Sequence, residues 1–332
     1  LHTLLPKSSE WGQIFANLEL VVVDEAHTYR GVFGSHVALL LRRLRRVCAR
    51  LGASPTFICC SATIANPLEH MLSLTGLAAD AVSLVDTDGA PAGARTLALW
   101  NPPPLKSSAA HEWHERLPPG AVTRRASPLA EAAKLLSVLI VHGVRTLAFV
   151  RTRSMAELLF LRTRELLGCM SPNLCERVAA YRAGYTVAER REIEQKLFGG
   201  ELLAVVATSA LELGVDVGHL DATLHVGFPG SMASLWQQAG RAGRTGRASL
   251  AVLVTQDNPL EQFFATEPET LLQRPVEPAL LNARNAELLR MHLVAAAIEE
   301  PLRIPPRPPM RAQVGAEEDV KPTSTAPLKV EG

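Results

Sequence analysis

Three short stretches of this 332-residue chain carry side chains whose types and spacing suit phosphate chemistry. The first is Asp24-Glu25-Ala26-His27, which follows Val21-Val22-Val23 directly. An apolar run ending in two carboxylates reads as a buried parallel strand with its acids at the C-terminal end, where ligands bind in open α/β sheets. There Asp24 can hold a magnesium ion through water, and Glu25 can orient or deprotonate an attacking water. Taken alone, the same tetrapeptide also fits a strand end with ordinary helix-capping acids. The second stretch, Gln237-Gln238-Ala239-Gly240-Arg241-Ala242-Gly243-Arg244, is more specific. Arg241 and Arg244 stand three apart and share one helix face. Gly240 and Gly243 let the backbone approach another surface closely. Paired guanidinium groups on such an element can neutralise charge on a γ-phosphate in the transition state, an effect worth ~10³–10⁵ in rate. A solvated basic helix end has no need of the glycines. The third stretch, Ser61-Ala62-Thr63, supplies a hydroxyl pair able to link a hydrolysis site to movement of a second domain. By itself it says little.

Positioning these groups requires strands that end on them and helices that follow. Leu18 to Val23 reads as a buried strand. Phe33 to Leu51 reads as a helix, with Val37, Leu40, Leu41, Leu44, Val47 and Cys48 on one face and Gly52 as its stop. Pro55 to Cys60 reads as a strand, and Asn66-Pro67-Leu68-Glu69 as a helix start with Asn66 at the cap. Ala81 to Val85 and Thr96 to Trp100 are further candidate strands. The alternation restarts with a helix at Leu129–Val141, a strand at Thr146–Val150 and a helix at Met155–Leu167. It continues with a strand at Val178–Tyr181 and a helix at Thr186–Phe198 opened by a Thr186/Glu189 capping box. Strands at Leu202–Thr208, Ala222–Val226 and Leu250–Thr255 follow, with helices at Ser231–Ala239 and Glu287–Ile298. Repeated strand–helix–strand order predicts an α/β fold of parallel sheets with helices on both faces.

Five prolines within 101–127 mark a linker, and seven prolines with few aromatics after residue 300 mark a disordered tail. The expected organisation is therefore one unit over 1–100, a linker over 101–127 and a second unit over 128–270. A helical start of an accessory region follows at 271–300, then a tail at 301–332. A formal net charge of +1 excludes a protein held to nucleic acid or membrane by bulk charge alone. Of the 34 basic residues only six are lysines, and arginine grips phosphate bidentately. No apolar run is long enough to span a membrane and no signal-peptide pattern opens the chain. Five cysteines without a Cys-x-x-Cys pair read as reduced thiols in an intracellular, cytoplasmic protein.

In order, these motifs resemble those of superfamily 2 helicases. Asp24–His27 is similar to motif II, Ser61–Thr63 to motif III, Phe149–Arg153 to motif IV, Thr208–Asp216 to motif V and Gln237–Arg244 to motif VI. The stretches Asp24–His36, Cys60–Pro67, Tyr181–Tyr185 and Thr208–Asp216 resemble the Hrq/MrfA-type, RecQ-related branch of DNA helicases linked to repair. The likeness covers roughly residues 1–300. It implies RecA-like, P-loop NTPase domains, one partial and one complete, with ATP and Mg²⁺ in their cleft. Asp24 and Glu25 would come from the first domain, Arg241 and Arg244 from the second, with His27, Ser61, Thr63 and Gln237 coupling the two. It implies 3′-to-5′ movement on single-stranded or tailed duplex DNA. Thr208 and Ser209 would touch the strand backbone, and Gly214 and Asp216 the nucleotide. Arg151, Arg153 and Arg182 are candidate phosphate contacts, each equally compatible with a surface salt bridge.

No Gly-x-x-x-x-Gly-Lys-Ser/Thr occurs, so the phosphate cradle of the resembled family is not in this sequence, and N-terminal truncation is the simplest expectation. The zinc-binding region expected after residue 300 is also not seen. Arg42, Arg45 and Arg46 gather opposite the apolar stripe of their helix. A solvated face is the commoner arrangement, and a DNA-backbone stripe the alternative. Tyr29, Phe33 and Trp236 could stack on bases, but lone aromatics beside apolar residues are more often core. Two further readings stay open: a non-catalytic nucleic-acid-binding module, and an RNA helicase of the Asp-Glu-Ala-His type.

Overall fold

The computed structural model describes residues 1–87, 89–90, 93–105, 125–212, 218–243 and 246–302. Two parallel sheets organise them. In the first lobe β1 (Leu20–Val23) pairs with β2 (Thr56–Cys59), Leu20 opposite Thr56. Helices α1 (Gly12–Ala16), α2 (Gly31–Arg50) and α3 (Pro67–Thr75) belong to this lobe. Its core joins Val23 and Phe57 to Leu41, Leu44, Val47 and Cys48 of α2. These are residues of the apolar stripe read from the sequence, and Gly52, at φ 84°, follows the last turn in the left-handed region.

The second lobe holds a six-stranded sheet. Its strands are β3 (Arg95–Trp100), β4 (Thr146–Phe149), β5 (Val178–Tyr181), β6 (Ala204–Ala207), β7 (Ala222–Val226) and β8 (Ser249–Val254). They lie in the order β3-β8-β7-β4-β6-β5, every neighbouring pair parallel. Alternate residues of β6 face opposite cores: Ala204 and Val206 join Leu136, Ile140 and Leu159, while Val205 and Ala207 join Leu147, Phe149 and Leu197. Burial on both faces is why these strands read as unbroken apolar runs. The helices are α4 (Pro128–Val141), α5 (Arg153–Met170), α6 (Val187–Phe198), α7 (Met232–Ala239), α8 (Pro259–Thr266), α9 (Pro268–Leu272) and α10 (Ala286–Glu299). Besides α6, side-chain caps start five of them: Ser127, Thr152, Ser231, Asn258 and Asn285 each accept an N–H of the first turn. The Thr186/Glu189 capping box opens α6 as expected.

Four expectations need correction. Ala81–Val85 forms no strand; a 3₁₀ turn covers Ala79–Ala81 and no neighbour pairs with the rest. The strand at Thr96–Trp100 does not extend the first lobe. It is β3, the edge of the second sheet, with Leu99 opposite Leu253 and its apolar residues packed on the second-lobe cores. Chain order identifies a strand but not the sheet that receives it. The arginines of α2 form neither a solvated face nor an exposed stripe. Arg42 donates to the carbonyls of Ser73 and Leu74, and Arg45 to those of Thr75 and Gly76, so together they satisfy the carbonyls that end α3. Arg46 does the same for α10, at Ala296 and Glu300. Finally, Asn66 precedes α3 but its side chain does not cap the helix; it bonds the backbone of Ala279 instead.

Helix α10 lies against α2. The buried Arg43 guanidinium grips the Glu299 carboxylate with two nitrogens, and His36 Nδ1 stands 3.0 Å from His292 Nε2. The expected linker falls largely on 106–124 and the expected tail on 303–332, outside the described residues. No described helix is long and apolar enough to cross a membrane.

Candidate active site

The ends of β1 and β2 carry the first group of side chains. Cys60 N donates to Val23 O at 2.9 Å and Ala26 N to Cys60 O at 2.8 Å. These two bonds extend the ladder past the strands and bring Asp24–His27 beside Ser61–Thr63. Glu25 is the one non-glycine residue with positive φ among the described residues, at φ 49° and ψ 44°. That left-handed backbone costs ~1–2 kcal/mol for an ordinary side chain. Its neighbours hold it: Glu25 N donates to Asp24 Oδ1 and Thr28 Oγ1 donates to Glu25 O, both at 2.8 Å. Strain of this kind concentrates where a side chain must be aimed.

His27 Nδ1 accepts from Ala62 N at 3.2 Å. That bond leaves Nδ1 without a proton, so a neutral His27 carries its proton on Nε2. Glu25 Oε2 is 3.5 Å from the same nitrogen. Burial holds the imidazole below its ordinary pKa, with help from Arg30, while Glu25 and, from the second lobe, Glu212 oppose the shift. Motif III is thus tied to motif II by backbone as well as by side chain. Ser61 Oγ turns back onto Ala62 O at 2.8 Å, and Thr63 is exposed.

From the second lobe, Gln237 faces these residues. A cleft of about 240 Å³ is lined by His27, Thr28, Arg30 and Ile64 on one side and Glu212, Ser234 and Gln237 on the other. Behind it runs a buried relay with a fixed direction. Gln238 Nε2 donates to Glu212 Oε2 at 2.8 Å, which leaves Gln238 Oε1 to accept from His225 Nδ1 at 3.0 Å. His225 Nε2 then accepts from Thr223 Oγ1 at 3.0 Å. Burial pushes His225 down to about 4, so it stays neutral. Arg241 is buried as well and donates to the Glu212 carbonyl. Gly214, Asp216 and Arg244 lie outside the described residues.

Two family models match the chain: DEAD/DEAH box helicase over residues 1–71, and helicase conserved C-terminal domain over 130–246. The ATP-dependent helicase hrq1 of Schizosaccharomyces pombe is 41% identical over 307 residues, 92% of this chain and 28% of its own. The uncharacterized ATP-dependent helicase YprA of Bacillus subtilis is 42% identical over 308 residues, 91% of this chain and 38% of its own. The crystal structure of helicase MrfA bound to DNA and AMPPNP superposes with a TM-score of 0.79 at 42% identity, covering 89% of this chain and 39% of that one. The chain belongs to the DEAD/DEAH-box ATP-dependent helicases of the Hrq1/MrfA type. It spans roughly a third of the length of these relatives.

The helicase fold arranges the remaining candidates in a row. In the sheet β4, β6 and β5 are neighbours, about 4.8 Å apart. Their C-terminal ends carry Arg151, then Thr208 and Ser209, then Arg182. Arg151 and Ser209 line one groove with Glu212 and Gly227. Arg151 donates to Phe228 O at 2.5 Å and pairs with the buried Glu261 at 3.2 Å. Arg182 pairs with Glu157 at 2.5 Å and lies over the Tyr185 ring. Arg153, the first residue of α5, is exposed and has no bonded partner among the described residues. Tyr29 stacks on Phe33 at 5.7 Å between centroids, and Trp236 packs against the Leu235–Phe264 cluster. Sequence reading missed Thr223 and His225 and quoted Gln238 only as part of motif VI; the one available signal was the alternation that sets Thr223 and His225 between Ala222, Leu224 and Val226.

The carboxylates suit a hard divalent cation. Asp24 uses Oδ1 for its own turn and leaves Oδ2 for a cation or its water. No group of three or more potential ligands gathers among the described residues. The site therefore fits a magnesium ion that arrives with nucleotide phosphates, held by one or two carboxylates, better than a protein-built cage.

Proposed function

We propose that this chain forms the coupling and strand-gripping part of an intracellular, ATP-dependent 3′–5′ DNA helicase acting in DNA repair. One observation carries the reading: a single cleft takes His27 and Arg30 from the first lobe and Glu212 and Gln237 from the second. Residues of motifs II, V and VI meet there, as a hydrolytic site between two lobes requires. Glu25 positions the attacking water and takes its proton. Asp24 would hold a magnesium ion, which would supply positive charge beside the phosphates. Arg241 and Arg244 neutralise the charge that develops on the γ-phosphate, and Gly214 and Asp216 meet the nucleotide. His27, bonded to Ala62 N, ties this state to Ser61 and Thr63. Arg151, Arg153, Arg182, Thr208 and Ser209 hold successive backbone phosphates of a single-stranded or tailed duplex DNA. The choice of DNA is supported by MrfA, for which two solved structures are bound to DNA.

Three assays test the reading. Unwinding of matched tailed duplexes by a form that also carries a phosphate loop should succeed on DNA and fail on RNA; the reverse would identify an RNA motor. This 332-residue sequence holds no Gly-rich phosphate loop, so the chain alone should bind ATP weakly and not turn it over. Robust hydrolysis by the purified chain would refute that. In a form that also carries a phosphate loop, Glu25→Gln should abolish hydrolysis and spare nucleotide binding. Loss of binding instead would make Glu25 structural.

A further inference from the structure

Among the described residues the chain crosses between lobes twice. After α9 it runs without regular structure from Arg274 to Leu280 before reaching α10. This strap is anchored in both lobes. Val276 packs into the second-lobe cluster of Phe228, Met232, Leu235 and Phe264, while Leu281 and Ala283 pack against the first-lobe core. Polar bonds reinforce both ends. Glu277 Oε1 accepts from Met232 N at 2.9 Å and Oε2 from Ala233 N at 3.2 Å. These are the opening N–H groups of α7, the helix that carries Gln237 and leads to Arg241. Burial pushes the Glu277 carboxyl up, and the N–H groups together with Arg274 more than offset it, so it is held below the ordinary range. Two residues on, the first lobe takes over. Ala279 N donates to Asn66 Oδ1 at 2.8 Å, and Asn66 Nδ2 donates to Ala279 O at 3.3 Å. Gly31 N donates to Leu280 O at 2.7 Å, and Asn282 N to Ser35 Oγ at 2.8 Å.

The contour between the two sets of anchors is short. From Glu277 to Ala279 an extended chain reaches at most about 7 Å. Pro278 stands between them with a fixed φ and no N–H of its own. Asn66 lies three residues beyond Thr63, and Gly31 four beyond His27. The strap therefore joins the start of the motif VI helix to the residues just past motifs II and III. Glu277, Pro278 and Ala279 also line the cleft. At this end the lobes cannot draw apart unless an anchor lets go.

We propose that the strap is the pivot of the cleft, with Glu277 and Asn66 as positioning residues that keep α7 at a fixed distance from the motif II–III edge while the lobes rotate. Its role in turnover rests on the hydrolytic reading of the cleft, but its existence does not. Glu277 sets the second-lobe end of the pivot and Asn66 the first-lobe end.

The test uses the full chain without nucleotide, so a failure of the helicase reading leaves it intact. Spin labels on Ala49→Cys in α2 and on Cys169 in α5, with Cys59, Cys60 and Cys175 changed to Ser, report the distance between lobes. The parent should give one narrow distribution. Glu277→Ala should broaden it and speed amide exchange at Met232 and Ala233 about tenfold, as expected for a lost helix cap. Glu277→Gln keeps one acceptor for the two N–H groups and should fall between. Asn66→Ala attacks the same strap from the other lobe and should broaden the distribution while the α7 amides stay protected; it also serves if Glu277→Ala fails to fold. A parental distribution in Glu277→Ala with faster exchange would show a cap without a pivot, and overturns the proposal. So would a parental distribution in Asn66→Ala.

Discussion

Replacing Arg43 by Ala tests whether the arginines of α2 hold the fold together or face nucleic acid. The Arg43 and Glu299 side chains are 4% and 0% exposed. The Arg43 guanidinium also stands 3.3 Å from His2 Nδ1 and from His292 Nδ1. Truncation leaves the Glu299 carboxylate buried without its cation, and breaking a buried pair this way costs about 3–5 kcal/mol. Glu299 is the last residue of α10, so the cost should fall on the docking of that helix. At ~1.4 kcal/mol per tenfold, amide exchange along α10 should quicken by about two to four powers of ten. Arg43→Met combined with Glu299→Leu should recover most of the protection, because removing both charges together is often neutral. Binding to single-stranded DNA should keep its salt dependence throughout. An arginine lost from a phosphate contact would lower the log–log slope by ~0.7. Exchange along α10 within tenfold of the parent, with a slope reduced by that amount, would refute the structural assignment.

Other outcomes follow from the same geometry. Glu25→Gly removes the left-handed strain and should stabilise the first lobe by about 1 kcal/mol in urea titrations while removing the water-activating carboxylate; a destabilised variant would mean the strain is not there. His292 and His225 are each pushed down to about 4, His292 by burial and then by Arg43, His36 and His2, and His225 by burial. The unfolded chain takes up these protons near 6.5 and the folded chain only near 4, so their stabilising contribution is complete above 6.5 and declines as pH falls toward 4. Urea midpoints should therefore drop between pH 7 and pH 5, and a flat profile would contradict the burial. Gly34→Ala places a Cβ 2.0 Å from the Tyr29 carbonyl oxygen and should cost about 1–3 kcal/mol, visible as a lower midpoint for the first lobe.

Local features were legible in the sequence because local chemistry fixes them. The Thr186/Glu189 box, the doubly buried strands β4, β6 and β7, and the placement of Asp24 at a strand end all follow from residue type and spacing. Non-local assignments were not legible. Arg42, Arg45 and Arg46 share a face, but only the positions of α3 and α10 show that their guanidinium groups end two other helices. Asn66 has the residue type of a helix cap, yet Ala279, 213 residues away, competes for its side chain. Arg151 and Arg182 stand at the ends of β4 and β5, on either side of β6, but Glu261 and Glu157 had no sequence signature as their partners. The strain at Glu25 leaves no mark on the sequence, since glutamate gives no warning of a left-handed backbone.

The position of β3 has a practical consequence. It covers one edge of β8 over six residues, from Arg95–Ser249 to Trp100–Val254. A second lobe expressed from residue 128 onward would leave the amides and carbonyls of β8 open along that edge. Beside them would stand Leu250, Val252 and Val254, a flat apolar template for pairing with another molecule. Such a fragment should aggregate edge to edge, whereas one beginning before Arg95 should stay monodisperse. The strand that leads out of the first lobe thus acts as a guard against self-association of the second.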